Sequence, residues 1–421
     1  MKKTLLTLQV FISFIVVSCS TSNDLVRNSG NVNFVHADSF AAYSSMFEDF
    51  QLIPPENNRS CMLSKAQKIQ ILGEDIYIMD KGSVEAVHIF GEDGGYKGKV
   101  GNKGHAKNEY TWLFDFTTKG DSMVCLLDVG NVVKLYNSEG AFVSAKKLDT
   151  ENYYWTMDYS KGKYILSSLH NGSTSLNSRN HLLYFFDENL HLLEEKILIP
   201  AKPMKESPLH HDPSLCMLGD SCIFLDIFQN KFFVFNLNDL SYQDEYDIKT
   251  SAPYTYEDMV NGDMFKTSHD KILSVFSDGN KIFGWMHYGR NYSYYELNID
   301  TKEAKVCPFI DFISIEAMTY KNGYIYAVVQ PNSLKNMQEA YEKALPTFSP
   351  ELCNKINQHK DRLDSKNNFF VLKMKPKQKM AHPTNPVGKM YGCYPKTVDK
   401  RYMKKGMSLT PFTCARKHLI F

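Results

Sequence analysis

A short phrase of apolar and polar positions recurs along most of the chain. Each copy has a turn that contains Gly with Asp, Asn or Lys, then an apolar run of four to six residues, a polar break and a second apolar run. The runs are rich in Ile, Val, Tyr and Phe, residues that favour strands over helices. The pattern therefore predicts a series of hairpins built from short strands.

Six copies of the phrase are present, and their turn glycines are 47, 42, 57, 60 and 44 residues apart. These glycines are Gly73, Gly120, Gly162, Gly219, Gly279 and Gly323. Such spacing is typical of four-stranded propeller blades. Runs such as Ile76–Met79 and Cys222–Leu225 are apolar on both faces, as expected for strands sandwiched between neighbouring blades. The sequence predicts an all-β fold, a six-bladed β-propeller over residues 32–375. A two-sheet sandwich is the rival architecture, but the repeats extend beyond its usual length of about 200–250 residues.

A closed ring of blades needs a strand from one end of the chain to complete the blade at the other end. Near the N-terminus, Val32–Val35 is the usable apolar run. We therefore expect this run to pair with the last blade.

The sixth copy is interrupted by a long segment, from about 333 to 364, with a helical pattern. Leu334, Met337 and Tyr341 recur at helical spacing, and Ser349 followed by Pro350 is typical of the start of a second helix. Leu352, Ile356 and Leu363 give that helix one apolar stripe. The helical insertion is either a lid or docking surface over a propeller face, or a layer packed on the outer edge of the blade.

The first residues follow the pattern of a bacterial lipoprotein leader. Met1-Lys2-Lys3 precedes a mainly apolar run of about 14 residues, and Ser18 stands before Cys19. That run is shorter than the roughly 20 apolar residues of a transmembrane helix. We predict a signal peptide over 1–18 and attachment to a membrane through lipid on Cys19. Residues 19–31 are mainly small and polar and predict a flexible tether.

The residues after the lipid site bear on localisation. Ser20 stands where an aspartate would favour retention in an inner membrane, and no tight acidic cluster follows. We expect an outer-membrane lipoprotein that faces the periplasm, with exposure at the cell surface as the alternative.

Charge is unevenly distributed along the chain, although its formal net value is +1. The last 49 residues carry an excess of +11, so the body of the protein is mildly acidic. A basic tail can bind acidic polymers, but nucleic acid is not expected as a partner of an exported protein. We predict that residues 376–421 form a disordered extension of the propeller.

Cysteine usage leaves eight thiols besides Cys19. Cys125 and Cys222 lie inside apolar runs and are predicted to be small core residues. Cys216 and Cys222 are close enough in sequence for a disulfide across a hairpin, which is the open alternative for this pair. No CxxC occurs, so zinc binding is not supported.

The motifs of common catalytic sites are missing from the sequence. Neither GxSxG nor HExxH occurs, and arginines are too few for a sialidase-like carboxylate clamp. His210-His211-Asp212 carries ligand-type side chains, but adjacent residues of an extended chain point in opposite directions. We therefore predict no catalytic residues, no metal site and no cofactor, and leave the ligand-binding residues open. Paired carboxylates for glycoside hydrolysis depend on spatial separation and stay open.

One segment carries a resemblance to a known family. Gly73-Glu74-Asp75-Ile76-Tyr77-Ile78-Met79-Asp80, His88-Ile89-Phe90 and the segment from Val100 to Tyr110 resemble the repeats of TolB-like six-bladed propeller lipoproteins of Bacteroidetes, which have NHL-like repeats. The segment 100–110 is similar to that family's inter-blade phrase but departs from it at Val100, Ala106, Lys107, Asn108 and Tyr110. The resemblance implies the fold and assigns no biochemical role.

These observations together favour a non-catalytic function. We hypothesise a membrane-anchored binding or scaffold module whose central channel mouth takes a protein, a peptide or a small ligand. A carbohydrate-active or lyase-type enzyme on the same scaffold is the alternative, and clustered carboxylates or a metal at the channel mouth would favour it.

Overall fold

The described part of the chain contains twenty-six strands, three α-helices and one 3-10 helix. The structure is a computed structural model, and every described residue lies within the compact unit Met1–Ala381. It describes residues 29–36, 41–82, 84–150, 154–168, 181–198, 215–226, 230–253, 269–288, 291–309, 313–343, 349–364 and 366–377.

Three sheets, here called A, B and C, each consist of four consecutive antiparallel strands. Sheet A contains β3 (Ala66–Leu72), β4 (Asp75–Asp80), β5 (Ala86–Phe90) and β6 (Tyr96–Lys99). Sheet B contains β7 (Leu113–Lys119), β8 (Met123–Asp128), β9 (Val132–Asn137) and β10 (Phe142–Lys147). Sheet C contains β11 (Tyr154–Ser160), β12 (Lys163–Ser168), β13 (His181–Phe186) and β14 (Leu192–Leu198).

Sheet D has ten strands because an N-terminal strand joins two antiparallel groups. The first group contains β15 (Leu215–Leu218), β16 (Ser221–Asp226), β17 (Lys231–Asn236) and β18 (Tyr242–Lys249). The second group contains β19 (Lys271–Ile272), β20 (Phe276–Ser277), β21 (Ile282–Tyr288), β22 (Asn291–Asn298) and β23 (Glu303–Pro308). Strand β1 (Ser29–His36) lies between β18 and β23 and runs parallel to both.

Sheet E closes the arrangement with strands from both ends of the described chain. It contains β24 (Ile315–Lys321), β25 (Tyr324–Val329) and β26 (Phe370–Pro376), with β2 (Phe47–Ile53) as the edge strand beside β26. Strand β2 pairs antiparallel with β26, so an N-terminal strand does complete the last sheet.

The expectation that Val32–Val35 pairs with the last sheet is wrong. Asn33 of β1 pairs with Lys249 on one side and with Glu303 on the other, both within sheet D. Val32 and Phe34 are buried in the core of that sheet. Alternating apolar residues specify which face of a strand is buried, but they do not specify which edge the strand joins.

Apolar clusters between neighbouring sheets follow one another around the molecule. Separate clusters join sheets A and B, B and C, C and D, D and E, and E and A, and one more joins the two groups of sheet D. The second strand of three repeats, in β4, β8 and β16, is buried at every position after its first. Burial on both faces confirms a propeller-like, all-β arrangement in which sheets pack face to face around an axis.

Two aspartates at the ends of second strands tie neighbouring loops to the sheets. The Asp80 carboxylate accepts the backbone N–H groups of Ser64 at 3.0 Å and Lys65 at 2.8 Å. Asp128 accepts the N–H of Trp112 at 2.8 Å in the same position of the next repeat. Both carboxylates are buried. Their charge-assisted hydrogen bonds satisfy backbone N–H groups that lie just before β3 and β7.

The helices lie near the outer edge of sheet E. They are α1 (Tyr43–Met46), α2 (Pro331–Lys343), α3 (Pro350–Asn357) and a 3-10 turn (Lys360–Arg362). Leu334 and Ile356 are buried in the cluster that also contains Phe47 and Phe50 of the edge strand β2. These contacts support packing on the outer edge rather than a lid over the channel. None of the helices in the described ranges has the length and apolar character needed to span a membrane.

The start of the second helix agrees with the predicted boundary, but its cap works differently. Ser349 is the N-cap residue and Pro350 the first helical residue. The Ser349 hydroxyl oxygen accepts the backbone N–H of Ser44 at 2.7 Å, so it links the helix to the N-terminal segment.

Several predicted features lie wholly or partly outside the described residues. The signal peptide, Cys19 and the motif at His210 are among them, as is nearly all of the tail 376–421. Strand β1 begins at Ser29, so the last three residues of the segment predicted as a tether belong to a strand instead. They are ordered by parallel pairing with β18.

Candidate functional site

A channel runs between the inner strands of the sheets. The cavity in it has a volume of about 390 Å³. Six strands contribute residues to its lining, and we call them the inner strands: β3, β7, β11, β15, β20 and β24. Five of them come first in their antiparallel group, and β20 immediately precedes β21. A central cavity that is lined by several elements is the usual position for a binding site.

Alternation along the inner strands sends polar side chains to the channel and apolar ones to the core. In β3, Lys68 and Gln70 make polar contacts across the channel, whereas Ile69 and Ile71 are buried in the cluster between sheets A and E. In β7, Phe116 is buried between sheets A and B while its neighbour Asp115 faces Lys68. This is the two-residue period of a strand with different surroundings on its two faces.

The polar side of the channel is organised around Lys68. Its Nζ lies 2.8 Å from Asp115 Oδ2 and 3.4 Å from Asp158 Oδ1, and it donates to the carbonyl oxygen of Met157 at 3.0 Å. Asp115 Oδ2 also accepts the Met157 N–H at 2.7 Å. Three sheets therefore meet in one network, with Lys68 from sheet A, Asp115 from sheet B and Asp158 from sheet C.

An amide extends this network along the channel. Gln70 Nε2 lies 3.5 Å from Asp158 Oδ1, while Gln70 Oε1 accepts the backbone N–H of Thr118 at 2.7 Å. The amide orientation is thus fixed by a backbone donor, and its NH₂ group is directed at the carboxylate.

Burial and charge act in opposite directions on the network. Burial alone lowers the pKa of the Lys68 ammonium, but the charges of Asp115 and Asp158 outweigh burial and raise this pKa above its usual value. For Asp158, burial raises the pKa of the carboxyl and outweighs the attraction of Lys68, and repulsion from Asp115 adds to the rise. The Asp158 side chain is nonetheless 29% exposed, because the channel itself admits solvent.

The opposite side of the channel, here called the apolar wall, contributes most of its apolar residues, beside the polar Ser277, Thr319 and Lys321. Leu215, Cys216 and Met217 come from β15, Phe276 from β20, and Met318 from β24. Burial raises the pKa of the Cys216 thiol, so the thiol stays protonated at neutral pH. The channel therefore has one charged, hydrogen-bonding wall and one apolar wall.

An exposed aromatic residue lies where the inner strand of sheet B begins. Trp112 directly precedes β7 and is 54% exposed. The Nζ atoms of Lys103 and Lys81 lie 5.5 Å and 6.0 Å from its ring centroid, within the range of cation–π interactions. Val129, also exposed, donates its N–H to the Trp112 carbonyl oxygen at 3.1 Å. This exposed surface offers apolar and cationic groups together.

The two cysteines considered as a disulfide pair do not face each other. Cys216 pairs with Ile223 across the hairpin, and Met217 pairs with Cys222. Directly opposed residues share a face of the sheet, so the two thiols lie on opposite faces. Both cysteines are free and buried, in different clusters. The prediction that Cys125 and Cys222 are core residues is confirmed.

Two further residues with side chains common in functional sites, His105 and Arg362, do not line the channel. His105 is exposed in the segment between sheets A and B, and Arg362 donates to the Pro54 carbonyl oxygen at 3.3 Å near the helices. Among the residues that the structure describes, no group of three or more His, Cys, Asp or Glu side chains could hold a metal ion.

The channel residues themselves were not identified from the sequence. The available signal was a polar residue within the apolar run that precedes a repeat glycine, as with Lys68 before Gly73 and Asp115 before Gly120. That signal marks polar positions on inner strands, but it does not show which of them meet.

Comparison with known proteins adds the family and the fold. A family described as a domain of unknown function, DUF4934, matches residues 31–375. The crystal structure of an exported protein from Bacteroides fragilis is 15% identical with a TM-score of 0.61, and the alignment covers 82% of this chain and 99% of that one. No curated protein matches the chain.

Two further structures are more distant. BamB from Moraxella catarrhalis is 10% identical with a TM-score of 0.34, covering 74% of this chain and 70% of that one. PorZ from Porphyromonas gingivalis, a surface component of the type-IX secretion system, is 10% identical with a TM-score of 0.36, covering 63% of this chain and 30% of that one. The similarity to the Bacteroides fragilis protein, at 15% identity, concerns the fold alone.

Proposed function

The chain belongs to the DUF4934 family, whose description names no function, and we propose from the geometry of its channel that it is a binding or scaffold module. The observation that carries the proposal is the cavity of about 390 Å³ with one charged and one apolar wall. A site of this size and mixed lining is suited to a small ligand or to side chains of a peptide.

We also propose that the propeller has six blades. Sheets A, B, C and E each supply one four-stranded blade, and the two antiparallel groups of sheet D supply two more. Strand β1 then lies between the fourth and fifth blades and pairs with one strand of each. Support comes from the six inner strands that line the channel, one from each blade. A resemblance to TolB-like propellers is consistent with this count.

Anchoring to a membrane is a separate part of the proposal. The cationic start, the apolar run and the Ser18-Cys19 pair support lipid attachment at Cys19, in an outer-membrane lipoprotein that faces the periplasm. Metabolic labelling with an alkyne fatty acid should label the wild-type chain and should not label a Cys19→Ala variant. Equal labelling of both would contradict the anchor.

The enzymatic alternative has one observation in its favour. Asp115 and Asp158 approach the same lysine, and the pKa of Asp158 is raised, as in a carboxyl that serves as a general acid. However, Asp115 is held by both Lys68 and a backbone N–H, so it is constrained as a structural acceptor. Binding is therefore the better-supported function.

The decisive experiment asks whether a ligand is lost when the channel is filled. Wild-type protein and a Thr118→Trp/Met318→Trp double variant, in which both changes face the cavity, are purified from native membranes. Native mass spectrometry or pull-down analysis then compares what each retains. Val143→Trp, at an exposed position of the outer strand β10, is the matched control.

We expect a ligand or partner with the wild type and the control but not with the filled variant. Retention by all three proteins would show that binding does not use the channel. Hydrolysis or elimination by the wild type of a glycan panel, abolished by Asp158→Asn, would instead favour the enzyme.

A further inference from the structure

The charged wall of the channel contains one more carboxylate than cation. Lys68 faces two carboxylates, and Lys321, the other lysine that lines the cavity, is exposed at the end of β24. With both aspartates ionised, the network formed by Lys68, Asp115 and Asp158 carries a net negative charge. An opposite charge that enters the cavity would relieve this imbalance.

The carboxylates of Asp115 and Asp158 differ in their exposure and in the lengths of the hydrogen bonds that they accept. The Asp115 side chain is 5% exposed, and its Oδ2 accepts two bonds, from Lys68 at 2.8 Å and from the Met157 N–H at 2.7 Å. The Asp158 side chain is 29% exposed, and its two contacts, with Lys68 at 3.4 Å and Gln70 at 3.5 Å, are both long and both reach Oδ1. Asp158 is therefore the accessible acceptor of the channel.

The raised pKa of Asp158 agrees with this geometry. Burial is the main cause of the rise, and repulsion from Asp115 adds to it. A bound cation close to Asp158 would stabilise the ionised carboxylate and lower this pKa again. Binding of a cation should accordingly release protons when it takes place near the pKa of Asp158.

The rest of the cavity determines what the cation is attached to. Leu215, Phe276 and Met318 form an apolar wall that lines the same cavity as Asp158. Leu215 and Phe276 are buried and Met318 is half-buried, so water in the cavity hydrates mainly the apolar surface of Met318, which is unfavourable. A ligand with an apolar body would cover that surface while its charged end meets the acceptor.

We propose that the channel binds a ligand that carries an ammonium or guanidinium group on an apolar body, with the cation at Asp158 and the body against the wall formed by Leu215 and Met318. This inference rests on the proposed binding function and names the class of ligand. Ammonium and guanidinium groups are donors only and match an acceptor that has unused capacity. An anionic ligand would meet the net negative charge of the network.

The test uses three probes of one length that differ only in the head group: n-hexylammonium, n-hexanol and n-hexanoate. Isothermal titration at neutral pH measures each against the full-length wild type, Asp158→Asn and Met318→Gln. Asp121→Asn, in the exposed turn before β8, is the matched control for loss of one carboxylate. Asp158→Asn should fold, because Lys68 keeps its contacts with Asp115 and with the Met157 carbonyl oxygen.

We expect hexylammonium to bind the wild type and the control, and to bind Asp158→Asn at least tenfold more weakly. Met318→Gln should weaken hexylammonium and hexanol by similar factors. Titrations in two buffers of different ionisation enthalpy, repeated at decreasing pH, should show proton release with the wild type as the pH approaches the pKa of Asp158, and none with Asp158→Asn. Absence of hexylammonium binding, tighter binding of hexanoate, or an Asp158→Asn variant that binds like the wild type would each overturn the inference.

Failure here is distinguishable from failure of the binding function itself. If the native protein retains a ligand that the filled variant loses, the binding function stands even when hexylammonium does not bind. If neither a native ligand nor hexylammonium is found, both proposals fail together.

Discussion

The two walls of the channel are built from strands of the same position in each sheet, yet they differ in chemistry and in regularity. On the charged wall, β3, β7 and β11 are seven residues long and alternate polar with apolar side chains. On the apolar wall, β24 also has seven residues, but β15 has four and β20 has two. Backbone pairing and ion pairs hold the charged wall together, whereas the apolar wall, which contains two short strands, depends more on side-chain packing.

Gly284 shows what breaks the inner strand of the apolar wall. Its Cα lies so close to the backbone of Ser274 that an added Cβ would come within 2.0 Å of the Ser274 carbonyl oxygen. Leu273 and Ser274 both direct their N–H groups to the carbonyl oxygen of Trp285, between β19 and β20. The ladder is therefore interrupted at this point, and the chain packs through close backbone contact instead.

This difference shows that strands of the same repeat can form channel walls of two chemical kinds. The residues of a charged wall are constrained by pairing, because each charged side chain needs a counter-ion and hydrogen-bond partners. An apolar wall is specified by volume, because each side chain needs only to fill space. Substitutions should thus be costly for different reasons on the two sides, and four predictions test this.

The largest effect is expected when the charged wall loses Lys68, the half-buried cation that faces both carboxylates. Lys68→Met leaves Asp115 and Asp158 facing each other without a counter-ion, and Asp115 is nearly inaccessible. Removing one partner of a buried pair costs about 3–5 kcal/mol, and we expect about 4 kcal/mol here. Chemical denaturation followed by circular dichroism measures the free energy of unfolding.

The control for this variant is a lysine in an exposed pair. Lys97 lies 2.5 Å from Asp75 and its side chain is 56% exposed. Since solvent screens such pairs, Lys97→Met should leave the unfolding curve unchanged within error. Equal losses for Lys68→Met and Lys97→Met would show that the channel network adds nothing specific to stability.

The second effect concerns the packing of the apolar wall. Phe276 is buried, with its ring centroid 5.9 Å from that of Phe283 and 6.5 Å from that of Trp285. Phe276→Ala should cost about 3 kcal/mol through the lost burial and the cavity left behind. Unlike Lys68→Met, this loss should not change with pH between 5 and 8. A marked pH dependence in the same denaturation assay would contradict a wall held by packing alone.

The charged wall also shows how far sequence reasoning reaches. Turn glycines and apolar runs predicted strands close to where they lie, since both signals are local. Gly73 separates β3 from β4, and Gly120 separates β7 from β8. The partners of Lys68 are different: Asp115 is 47 residues away and Asp158 is 90. Such contacts follow from how the sheets are arranged around the axis, which no single strand encodes.

The same limit explains the strand that joins the last sheet. Phe47–Ile53 closes sheet E, and its burial pattern is irregular because its register shifts between Glu48 and Gln51. Val32 and Phe34 gave a cleaner alternation and were therefore expected there instead. The cleaner alternation reflects a strand with one face buried in the core of sheet D and the other face exposed.

The third effect tests the interrupted inner strand. Gly284→Ala would place a methyl group against the Ser274 carbonyl oxygen and the Tyr295 ring, at 2.0 Å and 3.0 Å. Overpacking of this kind costs about 1–3 kcal/mol, and we expect about 2 kcal/mol. Gly284→Ala should therefore lower the midpoint of thermal unfolding. A midpoint equal to that of the wild type would mean that β19 and β20 move apart without cost.

The smallest effect separates the two walls by their response to pH. Because the folded protein raises the pKa of Asp158 above its unfolded value of about 3.9, the folded state holds this proton more tightly. Its contribution to stability is thus fully present below the unfolded pKa and is lost as the pH rises through the folded pKa. Asp158→Asn removes this dependence while Lys68 keeps Asp115.

Denaturation at a series of pH values, from 3.5 to 8, measures the difference between the wild type and Asp158→Asn. We expect the wild type to lose stability relative to the variant as the pH rises from 3.5, and the difference to become constant once Asp158 is ionised. Met318→Gln, on the other wall, should run parallel to the wild type over the whole range. A difference that grows in the opposite sense would mean that Lys68 stabilises the Asp158 carboxylate more than burial and Asp115 destabilise it.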